Sequence, residues 1–499
     1  MKIINRFALV VLALTMFTFL GIPGLVVAKE TSNIQFDSTA AEEEAYWYSR
    51  YNLGNLTMTS GMGLTFMPDM SMVQSMIKMV DTNPDDGDTA VPPMNASLLK
   101  ALYASGDPSF TMKIDINDFY TQRWNPSSFD KTITSRAMGW SIIKEVEWAK
   151  MFHVDSHFGK PYEDFGAQQR FLGMILNVEA KMQAQYALQM LINSDGYIAN
   201  SDGEVDFVGQ WVMLEALTDL GHTLGMETLP NSETNRYYDE NGSHMFAKAA
   251  DMLFGLLKER IPTSEEEYSL AIQALTWYAA STSNLENKDT AINLINKFGH
   301  NLVWLDTTTA TEKSFVVRGL IEAYRVTNNR AYISKAVNVF EELLEHFNYE
   351  YGYFEAQSVY TIDDIAVIIG AINSARLFAG NAIDQEKAEE VFTKFFENAV
   401  NKSGLQQSAP PVGVRKGEFE QHEPSLYYGY PTIPMPPMAG GTNGFGIAPV
   451  FATEVAFKNG EWVVTNARFD TAGAMHASNE FMWLHNDEIN GFPELKDKE

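Results

Sequence analysis

The chain has no cysteine in 499 residues. That excludes a disulfide framework, and with no cysteine after Ala28 it excludes a lipid-anchored N-terminus, so the fold must be held by core burial alone. Basic residues are the second scarcity. Lys and Arg number 36 against 64 Asp and Glu, a formal net charge of −28, and phosphate binding needs an excess of cations. Nucleic acid and anionic lipid surfaces are therefore excluded as partners. The charge serves solubility or cation binding. Histidines number nine and none stands in a His-Glu-x-x-His pattern, so no zinc site is expected. Gly440-Gly441-Thr442-Asn443-Gly444 is followed by no Lys-Ser/Thr, so it is no nucleotide loop. A Gly-x-Ser-x-Gly elbow is also missing. These absences leave no cofactor to expect.

Only one long apolar run occurs. Lys2 and Arg6 precede Phe7 to Val27, which closes on Val26-Val27-Ala28. This is the order of a secretory signal. The run also approaches the length of a membrane anchor, but Gly21-Ile22-Pro23-Gly24 suits a peptidase site better than a spanning helix. Cleavage after Ala28 is expected, giving a secreted or extracytoplasmic protein with no membrane span. Residues 1–28 are read as the signal, 29–165 as a Met-rich irregular region, 166–400 as helical hairpins, and 401–499 as a Pro/Gly-rich segment, β-hairpin and helix.

Between 166 and 400 the apolar period is helical. In Ala331 to Phe347, Ile333, Ala336, Val337, Phe340, Leu343, Leu344 and Phe347 share one face, opposite Lys335, Glu341, Glu342 and Glu345. That is an amphipathic outer helix. By contrast Ile365 to Ile372 is apolar nearly all round, as in a buried helix. The same alternation appears upstream, where Phe246 to Ile261 carries five charges and Leu270 to Ala280 almost none. Thr263 with Glu266 predicts a capping box for the latter. Helices are predicted to begin near Ala167, Asp206, Met245, Glu265, Lys288, Thr311, Ala331, Asp363 and Gln385. Inner helices alternating with outer ones make either a closed α/α toroid or an open solenoid, and the lack of a fixed repeat length favours the toroid.

Four stretches carry a resemblance: Phe315-Val316-Val317-Arg318-Gly319-Leu320-Ile321-Glu322-Ala323-Tyr324, Asn328 to Tyr332, Phe347 to Phe354, and Thr361-Ile362-Asp363-Asp364-Ile365-Ala366. Over about residues 311–380 the chain resembles the six-hairpin toroid proteins, which include sugar 2-epimerase-like enzymes, many glycosidases, and toroids joined to a thioredoxin fold. The resemblance implies a mainly α toroid. The redox context of the last group is missing, since no Cys-x-x-Cys is present.

Outside the hairpins, Asn459-Gly460 between Phe451–Phe457 and Glu461–Ala467 predicts a β-hairpin, and Thr471 to Trp483 a helix. Both parts are expected to cover one mouth of the toroid. The Pro/Gly stretch 408–449 is a candidate surface for a protein partner.

In a toroid, loops leading into the inner helices converge on one mouth. The candidate catalytic carboxylates are therefore Glu204 and Asp206, Glu355, and Asp363 with Asp364, two of which could act as acid and base or nucleophile on a glycosidic bond. Asp363 or Asp364 would also serve as a helix cap. Trp211, Trp277, Tyr351, Tyr353 and Tyr360 are candidates for stacking on sugar rings, or members of the core. Two further patterns have bland alternatives. Met58, Met62, Met67, Met70, Met72, Met76, Met79 and Met94 could bind Cu(I) or fill a core. Asn200 to Asp206 spaces oxygen side chains like a weak calcium loop, or forms a solvated turn. The expected function is processing or binding of a saccharide, against a non-catalytic binding or assembly protein, or a copper-binding one.

Overall fold

The computed structural model describes residues 36–81, 90, 95–115, 118–153, 156–157, 160–161, 166–229, 232–408 and 441–482. Residues 1–28, read above as a signal, the segment 409–440 within the expected partner surface, and Met94 lie outside them. Thirteen α-helices occur among the described residues: α1 (Ser38–Gly54), α2 (Met70–Val80), α3 (Ser135–His153), α4 (Gly166–Tyr186), α5 (Phe207–Gly225), α6 (Glu240–Leu257), α7 (Glu265–Ser281), α8 (Leu285–Val303), α9 (Ala310–Thr327), α10 (Arg330–Glu345), α11 (Ile362–Phe378), α12 (Gln385–Phe395) and α13 (Thr471–Glu480).

Each odd-numbered helix from α3 to α13 packs on the next odd-numbered one, and α13 returns to α3. That closed cycle of six is the inner wall of an α/α toroid. The even-numbered helices from α4 to α12 form the outer wall, each beside the inner helix it follows, and α1 completes that wall against α13. Sequence dictates the division. Outer helices such as α10 bury only one stripe, Tyr332, Ala336, Val339, Phe340, Leu343 and Leu344. Inner helices are buried nearly all round, as in α11 from Ile365 to Ala375 and α5 from Val208 to Leu220. The apolar core lies between the walls.

The ring is therefore wider than 166–400. It takes α3 and α1 from the region before and α13 from the region after, and α13 is an inner helix, not a cover. The reason is α13's small residues: Gly473, Ala474, Ala477 and Ser478 are all buried and let it pack between α3 and α11. The predicted hairpin forms, with strands Glu454–Lys458 and Glu461–Asn466 joined by Asn459 and Gly460 at φ 55° and 87°, the mirror-image turn that fits strand twist. It pairs with Val359–Thr361, placing Glu454 beside Thr361 at the start of α11.

The bore of the ring is filled with charge. Arg318 on α9 bonds Glu480 on α13 at 3.3 Å and Glu322 at 2.6 Å. Lys144 pairs with Glu147, and Lys150 with Asp219, both at 2.6 Å. A bond from α9 to α13 has to pass α11, and it does so at Gly370, where an added Cβ would overlap Glu480 Oε2. Gly370→Ala is accordingly expected to destabilise the protein by about 1–3 kcal/mol through overpacking, despite alanine's better helix propensity. Chemical denaturation would measure it, and a stabilised variant would show that the bore is looser than described.

Candidate active site

The six inner helices all start at the same end of the ring, so their N-termini, each carrying the positive end of a helix dipole, surround one mouth. Carboxylates sit there at helix-starting positions. Asp206 is the N-cap of α5, accepting from Val208 N–H, and Asp470 is the N-cap of α13, accepting from Gly473 N–H at 2.8 Å. On α7 the cap is Ser264, whose hydroxyl accepts from Glu267 N–H, while Glu267 Oε2 accepts from Thr263 N–H. The capping acid is thus Glu267, one residue beyond the expected Glu266. α11 repeats the plan: Thr361 and Asp364 form its capping box. In both helices the preceding acid, Glu266 or Asp363, is released from capping and turned to the mouth.

One cation ties one side of the mouth. Arg136, near the start of α3, bonds Asp206 at 2.9 Å and Glu266 at 2.8 Å, reaching past α5 to α7. Facing it, Asp363 Oδ1 meets His476 Nδ1 at 3.0 Å, and the His476 ring stacks on Trp140 with centroids 4.4 Å apart and planes 12° apart. His476 is 4% exposed, whereas Asp363 keeps 36% of its side chain open to solvent with protein packed closely round it. Asp363 is thus partly open to solvent at the mouth. Asp363 Oδ2 and Asp470 Oδ1 each lie 3.2 Å from the position a Cβ on Gly473 would occupy. Ile362 Cγ2 lies closer still to the same position, so only glycine fits there.

The environments separate these acids. Burial would raise Asp363, but the hydrogen bond with His476, the histidine's charge and Arg136 together bring it below the usual carboxylate range. Burial and the charge of Asp363 push Asp470 up to about 6. Burial raises Glu266 as well, against the pull of Arg136. Arg136 itself is held above its ordinary value: burial lowers it, and Glu266 with Asp206 more than offset that. Deeper in the bore, burial pushes Glu215 well above the carboxylate range in spite of Arg318.

Of the carboxylates named from sequence, the structure brings Asp206 and Asp363 to this mouth. Glu204 is exposed on the preceding turn, its N–H donating to Asp202. Glu355 is exposed and makes no ion pair among the described residues. Asp364 is committed to Thr361 and to the Thr311 hydroxyl, 2.9 Å away. Among the aromatics, Trp211 and Tyr360 are 0% exposed, and Tyr360 Oη bonds Phe354 and Gln357, so neither offers a face to a ligand. Trp277 lies towards the far end of α7, with Lys150 Nζ 5.7 Å from its ring. Tyr351 and Tyr353 pack on Phe457 at 5.1 and 4.5 Å, beside the strand that leads into α11.

Arg136, Trp140, Glu266, Asp470 and His476 were missed. A legible signal existed for Asp470, which precedes a small-residue helix as an N-cap. The calcium-like loop is a turn: Asn200 and Ser201 side chains accept from Ser135 and Ile133 N–H, and Asp206 is held by Arg136. The methionines divide, with Met58, Met62 and Met76 in the core and Met67, Met70 and Met79 exposed. Among the described residues no three His, Asp or Glu side chains gather as a metal site.

No protein-family model and no curated protein matches the sequence. Solved structures similar to this chain include an endoglucanase from the termite Nasutitermes takasagoensis, 10% identical, covering 90% of this chain and 99% of its own, with a TM-score of 0.47. A cellobiose 2-epimerase from Bacillus thermoamylovorans is 9% identical, with coverages of 82% and 99% and a TM-score of 0.43. A glycoside hydrolase family 76 mannosidase from Bacteroides thetaiotaomicron is 8% identical, with coverages of 83% and 98% and a TM-score of 0.38. The toroid stands on the closed cycle of helices in this chain itself.

Proposed function

We propose that the mouth of the ring is an acid–base active site for a neutral saccharide in an exported protein. What carries this is that Asp363 and Asp470 each bring an oxygen within 3.2 Å of where a Cβ on Gly473 would stand, with Asp470 held up near 6 and Asp363 held low. Two carboxyls pushed apart in this way divide into acid and base. The ligand class follows from the inventory: four carboxylates against one guanidinium repel phosphates and carboxylates but accept hydrogen bonds from hydroxyl groups. In hydrolysis, Asp470 gives its proton to the glycosidic oxygen as the bond to the anomeric carbon breaks. Asp363, steadied by His476, takes a proton from the water that attacks that carbon. Arg136 holds Asp206 and Glu266 for the sugar hydroxyls. Export rests on the signal-like residues 1–28, and a mature N-terminus at Lys29 is the expected sequencing result.

The test is a panel of soluble polysaccharides and nitrophenyl glycosides, read as reducing ends and nitrophenolate released. The kcat/KM profile should fall above about pH 6 as Asp470 ionises, and fall at acid pH only below the usual carboxylate range, where Asp363 gains its proton. Asp470→Asn keeps the helix cap but removes the acid. It should lose about 10²–10⁴-fold on polysaccharide, far less on a nitrophenyl glycoside whose leaving group needs no proton, and lose the alkaline limb. An alkaline limb that survives in this variant would contradict the assignment of Asp470. Binding of sugars without turnover by any member of the panel would make the protein a binding protein.

A further inference from the structure

Away from the mouth, α3 and α4 bury two carboxyls that no cation accompanies among the described residues. Glu145 and Glu179 are 0% and 1% exposed. Glu145 Oε1 accepts from the Ser141 hydroxyl at 3.2 Å and from Gln183 Nε2. Glu179 Oε1 accepts from Leu99 N–H at 2.5 Å, and Gln183 Nε2 also reaches the Leu99 carbonyl at 3.4 Å. Three acceptors in this one constellation, Glu145 Oε2, Glu179 Oε2 and Gln183 Oε1, are buried with no donor among the described residues.

The charged groups of every adjoining element are engaged elsewhere. On α3, Lys144 is paired with Glu147 and Lys150 with Asp219 of α5. On α4, Lys181 is paired with Asp239, and Arg170 donates to the Val80 carbonyl. Arg50 of α1 lies among the rings of Tyr46, Trp47, Trp148 and Phe152. Lys78 of α2 is exposed. Lys100 neighbours Leu99 on the strand and so projects to its opposite face.

We propose that Glu145 and Glu179 form a buried proton-binding site that holds a proton at neutral pH. A buried carboxylate without a cation is too costly to persist, and a proton is the smallest neutraliser. A hard metal ion would ask for about six to eight oxygens, more than this constellation offers. Burial pushes both carboxyls well above the usual range, and the charge of Glu145 raises Glu179 further. Glu179 and Gln183 clasp Leu99, in the strand Leu98–Leu102, to the α3–α4 hairpin. Just beyond, the carbonyls of Tyr103 and Ala104 accept from Thr471, and Ser105 pairs with Asp470. The clasp thus anchors the segment that positions the acid of the mouth. That last link rests on the acid–base reading above, whereas the proton site does not.

Because the folded state holds a proton that the unfolded chain releases at the ordinary glutamate pKa of about 4.3, stability falls as pH rises from that value towards the raised folded value. Each such proton increases the unfolding constant about tenfold per pH unit. Urea denaturation of the full chain from pH 5 to 9 should show this slope. Glu145→Gln and Glu179→Gln should each flatten it by about that factor and be more stable than the parent at pH 8–9. Unchanged slopes in both variants would overturn the proposal. So would calcium or magnesium that stabilises the parent at pH 8 but not the double variant, which would make the pair a metal site. Should the variants fail to fold, the infrared spectrum of the parent at pH 8 decides: it should retain a protonated carboxyl band, and its absence overturns the site.

Discussion

Asp363→Asn is expected to lower turnover by about 10²–10⁴-fold while leaving the folded protein intact. The amide can still accept from His476 Nδ1, so the geometry of the 3.0 Å contact survives. What disappears is the negative charge, and with it the capacity to take a proton from water. The charge of Asp363 is also one of the causes that hold Asp470 near 6, so the alkaline limb of any residual activity should move to lower pH. Asp364→Asn, one residue away, is the control. Asp364 caps α11 through Thr361, so its loss should cost about 0.5–2 kcal/mol of stability and leave kcat nearly unchanged. Equal losses of turnover in the two variants would remove Asp363 from the chemistry.

Arg318→Met should be the most destabilising single substitution in the bore, at about 3–5 kcal/mol. Its guanidinium is shared by Glu322 and Glu480, whose side chains are 3% and 6% exposed. Glu322 retains Arg325 at 3.1 Å, but Glu480 has no second cation bonded to it among the described residues. The double variant Arg318→Met/Glu480→Gln should recover part of the loss, because the uncompensated charge is then gone. Denaturant midpoints of the parent and three variants measure this coupling. Strict additivity would mean that Arg318 acts through packing alone.

Much of the architecture was legible because helical periodicity reports burial directly. The starts near Ala167, Asp206, Glu265, Thr311, Asp363 and Gln385 fall within one residue of the observed helices, and the all-apolar run at Ile365 is an inner helix. The site was less legible. It depends on one residue of register at each cap: Thr263 with Glu266 satisfies the capping pattern as well as Ser264 with Glu267 does, and only the fold decides which acid is spent on the backbone. Arg136 and His476 lie 340 positions apart in sequence, and their convergence is a product of ring closure. Trp211 misled because burial and ligand stacking select the same side chains.

The outer wall is closed by helices far apart in sequence, α1 against α13, with the Ser49 hydroxyl bonded to the Ser478 carbonyl at 2.8 Å. During synthesis the inner wall therefore stays open along the edge of α3 until α13 emerges, and the mouth, which needs Asp470 and His476, is assembled after the other five inner helices. Contacts so distant in sequence make for slow folding. Loss of α13 alone would leave five of the six inner helices, with a raw apolar edge for proteases and chaperones.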